Sequence, residues 1–272
     1  MKDDISGDAR LSVGQRLQYL WRNARRNLVR STNELKAHPW PLPADSYDMA
    51  RGKPSPLRVL SEAFLVLELP AIIGKTNISV LDIGCGSGRS LNLLVQAGFK
   101  GRYVGLDIED RFAPSNEGKN AFDVSFTCQD VHLGLPEGPF DLILSNSALE
   151  HIPDDEGLAQ KFNAALSNEG VQVHIVPAPA GLFTYLWHGY RQFSLTTIGQ
   201  RFDGVNPKLY QLGGLFSFLI HLVLITVPEI LLRVSLRNTA QIFYQMCLRS
   251  ALRFDHLAPI LATGYVIVQR KS

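Results

Sequence analysis

Gly84, Gly86 and Gly88 stand at alternate positions after an apolar run, a pattern that lets backbone approach a ligand closely. Asp82 precedes this turn and Cys85 lies within it. About 20 residues beyond the turn, Asp107 closes a second apolar run, where a carboxylate can accept hydrogen bonds from a ribose diol. Glu150 and His151 are adjacent, and His188 sits in an aromatic stretch with Tyr185, Tyr190 and Arg191. Histidine titrates near neutral pH and can take a proton from an acceptor hydroxyl, so His151 and His188, with Glu150 beside them, are the catalytic candidates. Tyr185, Tyr190 and Arg191 offer an aromatic wall and polar groups for binding a substrate. Cys85, Cys128 and Cys247 are widely separated, with no disulfide framework or paired metal-ligand spacing. No compact metal constellation accompanies the histidines, so metal-independent chemistry is expected.

These residues need elements to position them. Ile78, Val80, Leu81 and Ile83 have the apolar, β-branched character of a buried parallel strand. Ser90, Leu91, Leu93, Leu94 and Val95 begin a helix whose unpaired N–H groups face back toward the glycine turn. Residues 103–107 read as the next strand and 124–129 as another, ending at Asp130. Residues 140–146 bring Asn146 to the same C-terminal sheet edge. A helix over 154–166, capped by Asp154, leads past Gly170 to a strand over 171–176, where His174 is a structural residue. A further helix spans 241–252, and 265–269 form the terminal strand. A dinucleotide-dependent oxidoreductase would share the glycine turn and Asp107. The absence of a Lys-Ser/Thr ending disfavours a P-loop hydrolase.

The string Leu81-Asp82-Ile83-Gly84-Cys85-Gly86-Ser87-Gly88 resembles the first motif of class I S-adenosylmethionine-dependent methyltransferases. Residues 141–152, with their Glu150-His151-Ile152 ending, resemble that family's fourth motif. The resemblance implies an α/β, Rossmann-like seven-stranded methyltransferase sheet, mostly parallel with an antiparallel last strand, and an extended C-terminal substrate-side insertion. It implies S-adenosyl-L-methionine as cofactor, with Asp107 on the ribose hydroxyls, Asp130 on the adenine amine and Val131 enclosing the base. Asp82, Gly84, Cys85, Gly86, Gly88, Ile108 and Asn146 complete the cofactor set, making Cys85 a small loop residue rather than a nucleophile. The sixth strand of such a sheet is the least legible element.

At 272 residues, 46% hydrophobic and 19% charged, the chain can bury one substantial core and is not generally disordered. A net charge of +2 does not indicate a nucleic-acid partner. The expected organisation is a basic amphipathic N-terminal helix and linker over 1–56, then the methyltransferase domain over 57–272. Residues 178–240 are the substrate-side or membrane-associated insertion. The N-terminal helix, read over 10–36, would cover the domain with its arginines in solvent; an anionic membrane surface is the rival partner. His38-Pro39-Trp40-Pro41-Leu42-Pro43 reads as a connector, and 57–73 as a helix despite Pro70. The apolar interval 212–227 admits three readings: a soluble core, a lipid-facing surface or a spanning helix. Cysteine usage and the start of the chain, which lacks a secretory pattern, point to the cytoplasm, with peripheral attachment to the cytoplasmic membrane as the alternative. No oligomeric state is indicated.

The expected activity is O-methylation of a small metabolite, sugar-containing molecule or lipid-linked glycan. Methylation of a quinone or other lipid at carbon or oxygen, and a noncatalytic cofactor-binding adaptor, are the alternatives. The partner is then a small or amphiphilic methyl acceptor.

Overall fold

The computed structural model describes residues 5–28, 35–202 and 207–271. Helix α1 (Val13–Leu28) is followed by strand β1 (Ala37–Trp40) and helix α2 (Pro56–Ile73). The Ser55 side chain caps α2 by accepting the Arg58 N–H, and Pro56 supplies a φ suited to the first turn. An alternating stretch comes next: β2 (Asn77–Ile83), α3 (Arg89–Gln96), β3 (Lys100–Asp107), α4 (Asn116–Ala121) and β4 (Phe122–Cys128). It continues with β5 (Phe140–Asn146), α5 (Leu158–Ala165) and β6 (Leu166–Pro177). Short helices α6 (Gly181–Thr184) and α7 (Leu195–Arg201) precede β7 (Lys208–Leu212). Then come α8 (Leu215–His221), a π-helical stretch (Leu222–Leu231), α9 (Leu236–Thr239), α10 (Gln241–Phe254) and β8 (Gly264–Arg270).

The strands form one sheet in the order β1-β7-β8-β6-β5-β2-β3-β4. β8 runs antiparallel to β6 and β7, and the other pairings are parallel. Period-two alternation sends neighbouring residues to opposite layers. Val80, Tyr103, Leu142, Val173 and Val266 pack with α2, α3 and α10, while Leu81, Val104, Ile143, Val176 and Ile267 pack with α5 and α7. Both faces are therefore covered, as a parallel sheet requires. β2 has β3 on one side and β5 on the other, which makes its C-terminal end the switch point where a crevice opens.

The expected mixed sheet with an antiparallel last strand is present, but among the described residues it has eight strands rather than seven. The added strand is β1, formed by part of the segment read as a connector. It pairs with β7 alone, at the sheet's margin, where Pro39 can lack its N–H without interrupting an internal ladder. Trp40 anchors it, burying its ring and donating from Nε1 to Glu68 Oε1 at 2.9 Å. The least legible strand is β7, held between β1 and β8.

Four local expectations are refined. The helix read from Asp154 starts at Leu158, after Gly157 in the left-handed region, because Asp155 is drawn inward to Arg191 and Arg201. Leu166 belongs to β6, and Gly170 lies within that strand. The N-terminal helix covers Val13–Leu28; residues 29–34 of the expected span lie outside the described ones. The apolar interval 212–227 is divided among the end of β7, a Gly213-Gly214 link, α8 and the π-helical stretch. Among the described residues, no helix is long and apolar enough to cross a membrane.

Candidate active site

The crevice at the switch point is a cleft of about 830 Å³. Its floor is the β2–α3 turn, its far wall the ends of β5 and β6, and its mouth the segment around Tyr185 and His188. Gly84, Cys85, Gly86, Asn146, Glu150, Tyr185 and His188, all singled out from sequence, line it together.

The floor is shaped by backbone. Gly84, Gly86 and Gly88 all have positive φ, at 69°, 52° and 85°. A Cβ on Gly86 would meet no protein atom within 4 Å and would stand in the cleft. The turn therefore leaves open space above Gly86 on the cleft side. The Gly86 N–H donates to Asp107 Oδ2 at 2.7 Å, and the Glu109 N–H donates to Oδ1 at 2.9 Å. Asp107 is thus held rigidly behind the turn, with remaining lone-pair capacity on both oxygens. Asp82 lies deeper and accepts from the Tyr103 hydroxyl at 2.5 Å. Burial pushes its pKa up to about 7, against the stabilising Tyr103 and Ser90 hydroxyls. Burial also raises the Cys85 thiol pKa, keeping it protonated and a poor nucleophile.

Asp130 caps a short turn after β4 by accepting the His132 N–H at 2.9 Å, and Val131 beside it is buried. Ile108 follows Asp107 and is exposed. These three stand at neighbouring strand ends, outside the main cleft lining.

The mouth is assembled from distant parts of the chain. Asp8 reaches His151 Nδ1 with Oδ2 at 2.8 Å and His188 Nδ1 with Oδ1 at 3.3 Å, and it accepts the Gly189 N–H at 3.1 Å. The two imidazoles meet edge to face with centroids 4.6 Å apart. Burial opposes charging of His151, but the hydrogen bond to Asp8 and the fields of Glu150 and Asp8 outweigh it and raise its pKa. The same hydrogen bonds hold the Asp8 carboxyl far below the usual carboxylate range. Glu150 is buried beside this cluster, and its Oε2 has no partner among the described residues. Burial raises its pKa, against the pull of the neighbouring histidines. Gly189 lets the mouth segment cross here: φ is +61°, and a Cβ would lie 2.6 Å from the Glu150 carbonyl oxygen.

Of the two histidines, His188 lines the cleft, whereas His151 stands behind it on the Asp8 side. The Tyr190 N–H donates to the Glu150 carbonyl at 2.7 Å. Arg191 is buried and committed to Asp155 and the Pro153 carbonyl rather than to the cleft.

Sequence reading missed Asp8 and the α2–α3 wall. There, Arg89 holds Glu62 through Nε at 2.5 Å and Nη2 at 2.8 Å, and Arg58 joins the same carboxylate at 3.2 Å. The Ser55-Pro56 pair announces a helix start, but nothing local to it indicates that the helix lines a site. Asp8 carries no local signal, since its partners are 143 residues and more away.

The family profile described as a methyltransferase domain matches residues 74–179, the segment from the end of α2 to the start of the mouth. Over these residues the chain carries a methyltransferase-type domain. Within this part, the chain is 35% identical over 107 residues to trans-aconitate 2-methyltransferase of Escherichia coli, a match covering 39% of this chain and 42% of that protein. It is 28% identical over 114 residues to malonyl-[acyl-carrier protein] O-methyltransferase of Acetivibrio thermocellus, covering 39% of this chain and 38% of that one. The matched region thus spans about two-fifths of these curated relatives. In fold, 97% of this chain superimposes on 89% of coclaurine N-methyltransferase, with a TM-score of 0.53 at 15% identity. The N-methyltransferase NodS of Bradyrhizobium japonicum superimposes over 79% of this chain and 97% of its own, with a TM-score of 0.51 at 15% identity. The matched segment therefore supplies the floor and far wall of the cleft and, with Glu150 and His151, part of its mouth, which segments on either side complete.

Proposed function

We propose that the cleft binds S-adenosylmethionine against the β2–α3 turn and methylates an oxygen of a small, oxygen-rich acceptor that enters past Tyr185 and His188. The observation that carries this reading is the open space over Gly86, bounded by a turn tied to Asp107. Residues 74–179 carry the family's motifs around that space, and both curated relatives named above are methyltransferases, one of them explicitly an O-methyltransferase.

Bound there, S-adenosylmethionine supplies an electrophilic methyl group. This chain's residues do the rest. Asp107 accepts from the ribose hydroxyls, Asp130 from the adenine amine, and the backbone of Gly84 to Gly86 forms the surface beneath. Tyr185 walls the acceptor side and helps to exclude water. Arg58, Arg89 and Arg111 also line the cleft, against Glu62 and a Glu150 whose negative charge burial disfavours. This balance suits an acceptor carrying anionic or strongly polar groups. His188 takes the acceptor hydroxyl proton through Nε2, with Nδ1 directed to Asp8. His151 shares Asp8 and holds that carboxylate in place.

Transfer of label from S-adenosylmethionine into a cell extract, followed by identification of the labelled molecule, tests the reading directly. An oxygen-methylated small product is expected. Tight binding of S-adenosylhomocysteine without transfer to any acceptor would support the adaptor alternative instead.

A further inference from the structure

Helix α1 is turned inside out relative to a covering helix. Its buried residues are Tyr19 and Asn23, both polar. Val13, Leu17, Trp21 and Leu28 are 74%, 64%, 71% and 80% exposed. At 3.6 residues per turn, these four fall within an arc of about 80° on the side away from Tyr19 and Asn23. The helix also carries Arg16, Arg22, Arg25 and Arg26 and no acidic residue. Arg16 and Arg25 are exposed and flank the apolar stripe on either side, Arg16 with its guanidinium 4.8 Å from the Trp187 ring centroid.

A helix kept for packing would direct Leu17 and Trp21 inward. Here polar bonds attach the helix to the domain: the Tyr19 hydroxyl donates to the His188 carbonyl at 2.7 Å, and Gln192 Nε2 donates to the Tyr19 oxygen at 3.2 Å. The apolar stripe is left to something outside the described chain. A tryptophan mid-stripe, short apolar reach and flanking arginines match the plane of a bilayer surface rich in anionic headgroups.

We propose that α1 is an interfacial anchor that lays Val13, Leu17, Trp21 and Leu28 into the surface of an anionic membrane. Because Tyr19 is bonded to His188, the anchored helix holds the mouth of the cleft near the headgroup layer. An amphiphilic acceptor could then present its polar end while its apolar part stays in the lipid. The statement about the acceptor rests on the methyl-transfer reading; the anchoring does not.

The test is co-sedimentation of the full chain with vesicles of phosphatidylcholine alone and of phosphatidylcholine with phosphatidylglycerol, without methyl donor. Binding to the anionic vesicles, weakened by salt, is expected. Leu17→Glu combined with Trp21→Glu should lower partitioning at least about tenfold, leaving the circular-dichroism melt and S-adenosylhomocysteine affinity unchanged. Arg16→Gln with Arg25→Gln should weaken binding to anionic vesicles more than to neutral ones. Failure of the wild type to bind anionic vesicles, or wild-type binding by the Leu17/Trp21 variant, overturns the proposal. So does a lipid-free dimer that the Trp21 substitution dissociates, since the stripe would then belong to a second copy of the chain.

Discussion

The floor and the mouth of the cleft are built on different length scales. The floor is a strand, a turn and a helix start within one short run, joined to Asp107 on the adjacent strand. Its working parts are backbone φ angles and N–H groups. The mouth joins Asp8, His151 and His188, which are brought together only by the completed fold. The floor fits a ligand common to many proteins, whereas the mouth is where this chain can be particular.

The comparison is sharpened most by removing the support of the mouth alone. Arg191→Ala leaves Asp155 buried with a weakened set of partners, and breaking such a pair costs about 3–5 kcal/mol. A thermal melt should show that loss, while S-adenosylhomocysteine affinity, measured below the melting range, should change little. If affinity collapses as well, floor and mouth are one cooperative unit.

At the floor, Asp107→Ala should weaken S-adenosylhomocysteine binding about 100-fold by calorimetry, since charged hydrogen bonds to two hydroxyls are lost and the Gly86 turn is released. Gly86→Val should act in the same direction by placing a branched side chain in the open space at φ +52°. His188→Ala should divide the two regions cleanly, with kcat reduced about 100-fold and cofactor affinity retained. Equal loss of both would remove His188 from the role of base.

The smallest effect is a titration. Asp8→Asn exchanges a charged acceptor beside His151 for a neutral amide, so its raised pKa should fall, as NMR of the imidazole protons would show. His151 is raised in the folded state, so its contribution to holding Asp8 is complete below about pH 6.5, the ordinary histidine value, and is lost as pH rises through the higher folded value. Asp8 has the opposite sign: its contribution is present above the ordinary carboxylate pKa and fades as pH falls toward its depressed folded value. The protection factor of the Gly189 amide, whose N–H donates to Asp8, should therefore fall on the alkaline side in the wild type, beyond the ordinary base-catalysed rise in exchange rate. A protection factor that is flat across that range would mean that Asp8 is not held by a titrating histidine.

The same contrast decides what could be read from residues alone. The glycine turn, Asp107 and the motif over 141–152 are contiguous strings whose local physics matches their place in the sheet. Arg191 looked like an acceptor ligand because nothing nearby in sequence showed Asp155, 36 residues away, as its partner. Asp154 has the chemistry of a helix cap, yet burial of Asp155 pulls the segment inward and delays α5 to Leu158. For α1, periodicity located the helix but not its orientation. An amphipathic pattern is the same whichever face meets the protein, and only the burial of Tyr19 and Asn23 resolves it.

Strand β1 has a consequence for the protein's behaviour at high concentration. An open sheet ends in rows of backbone donors and acceptors that can recruit a strand from another molecule. This sheet ends on that side with four residues, one of them Pro39, so the rim is short and interrupted where an incoming strand would seek a partner. Replacing Pro39 with valine would leave the cleft intact while creating a continuous sticky border, and light scattering on standing would register the resulting self-association.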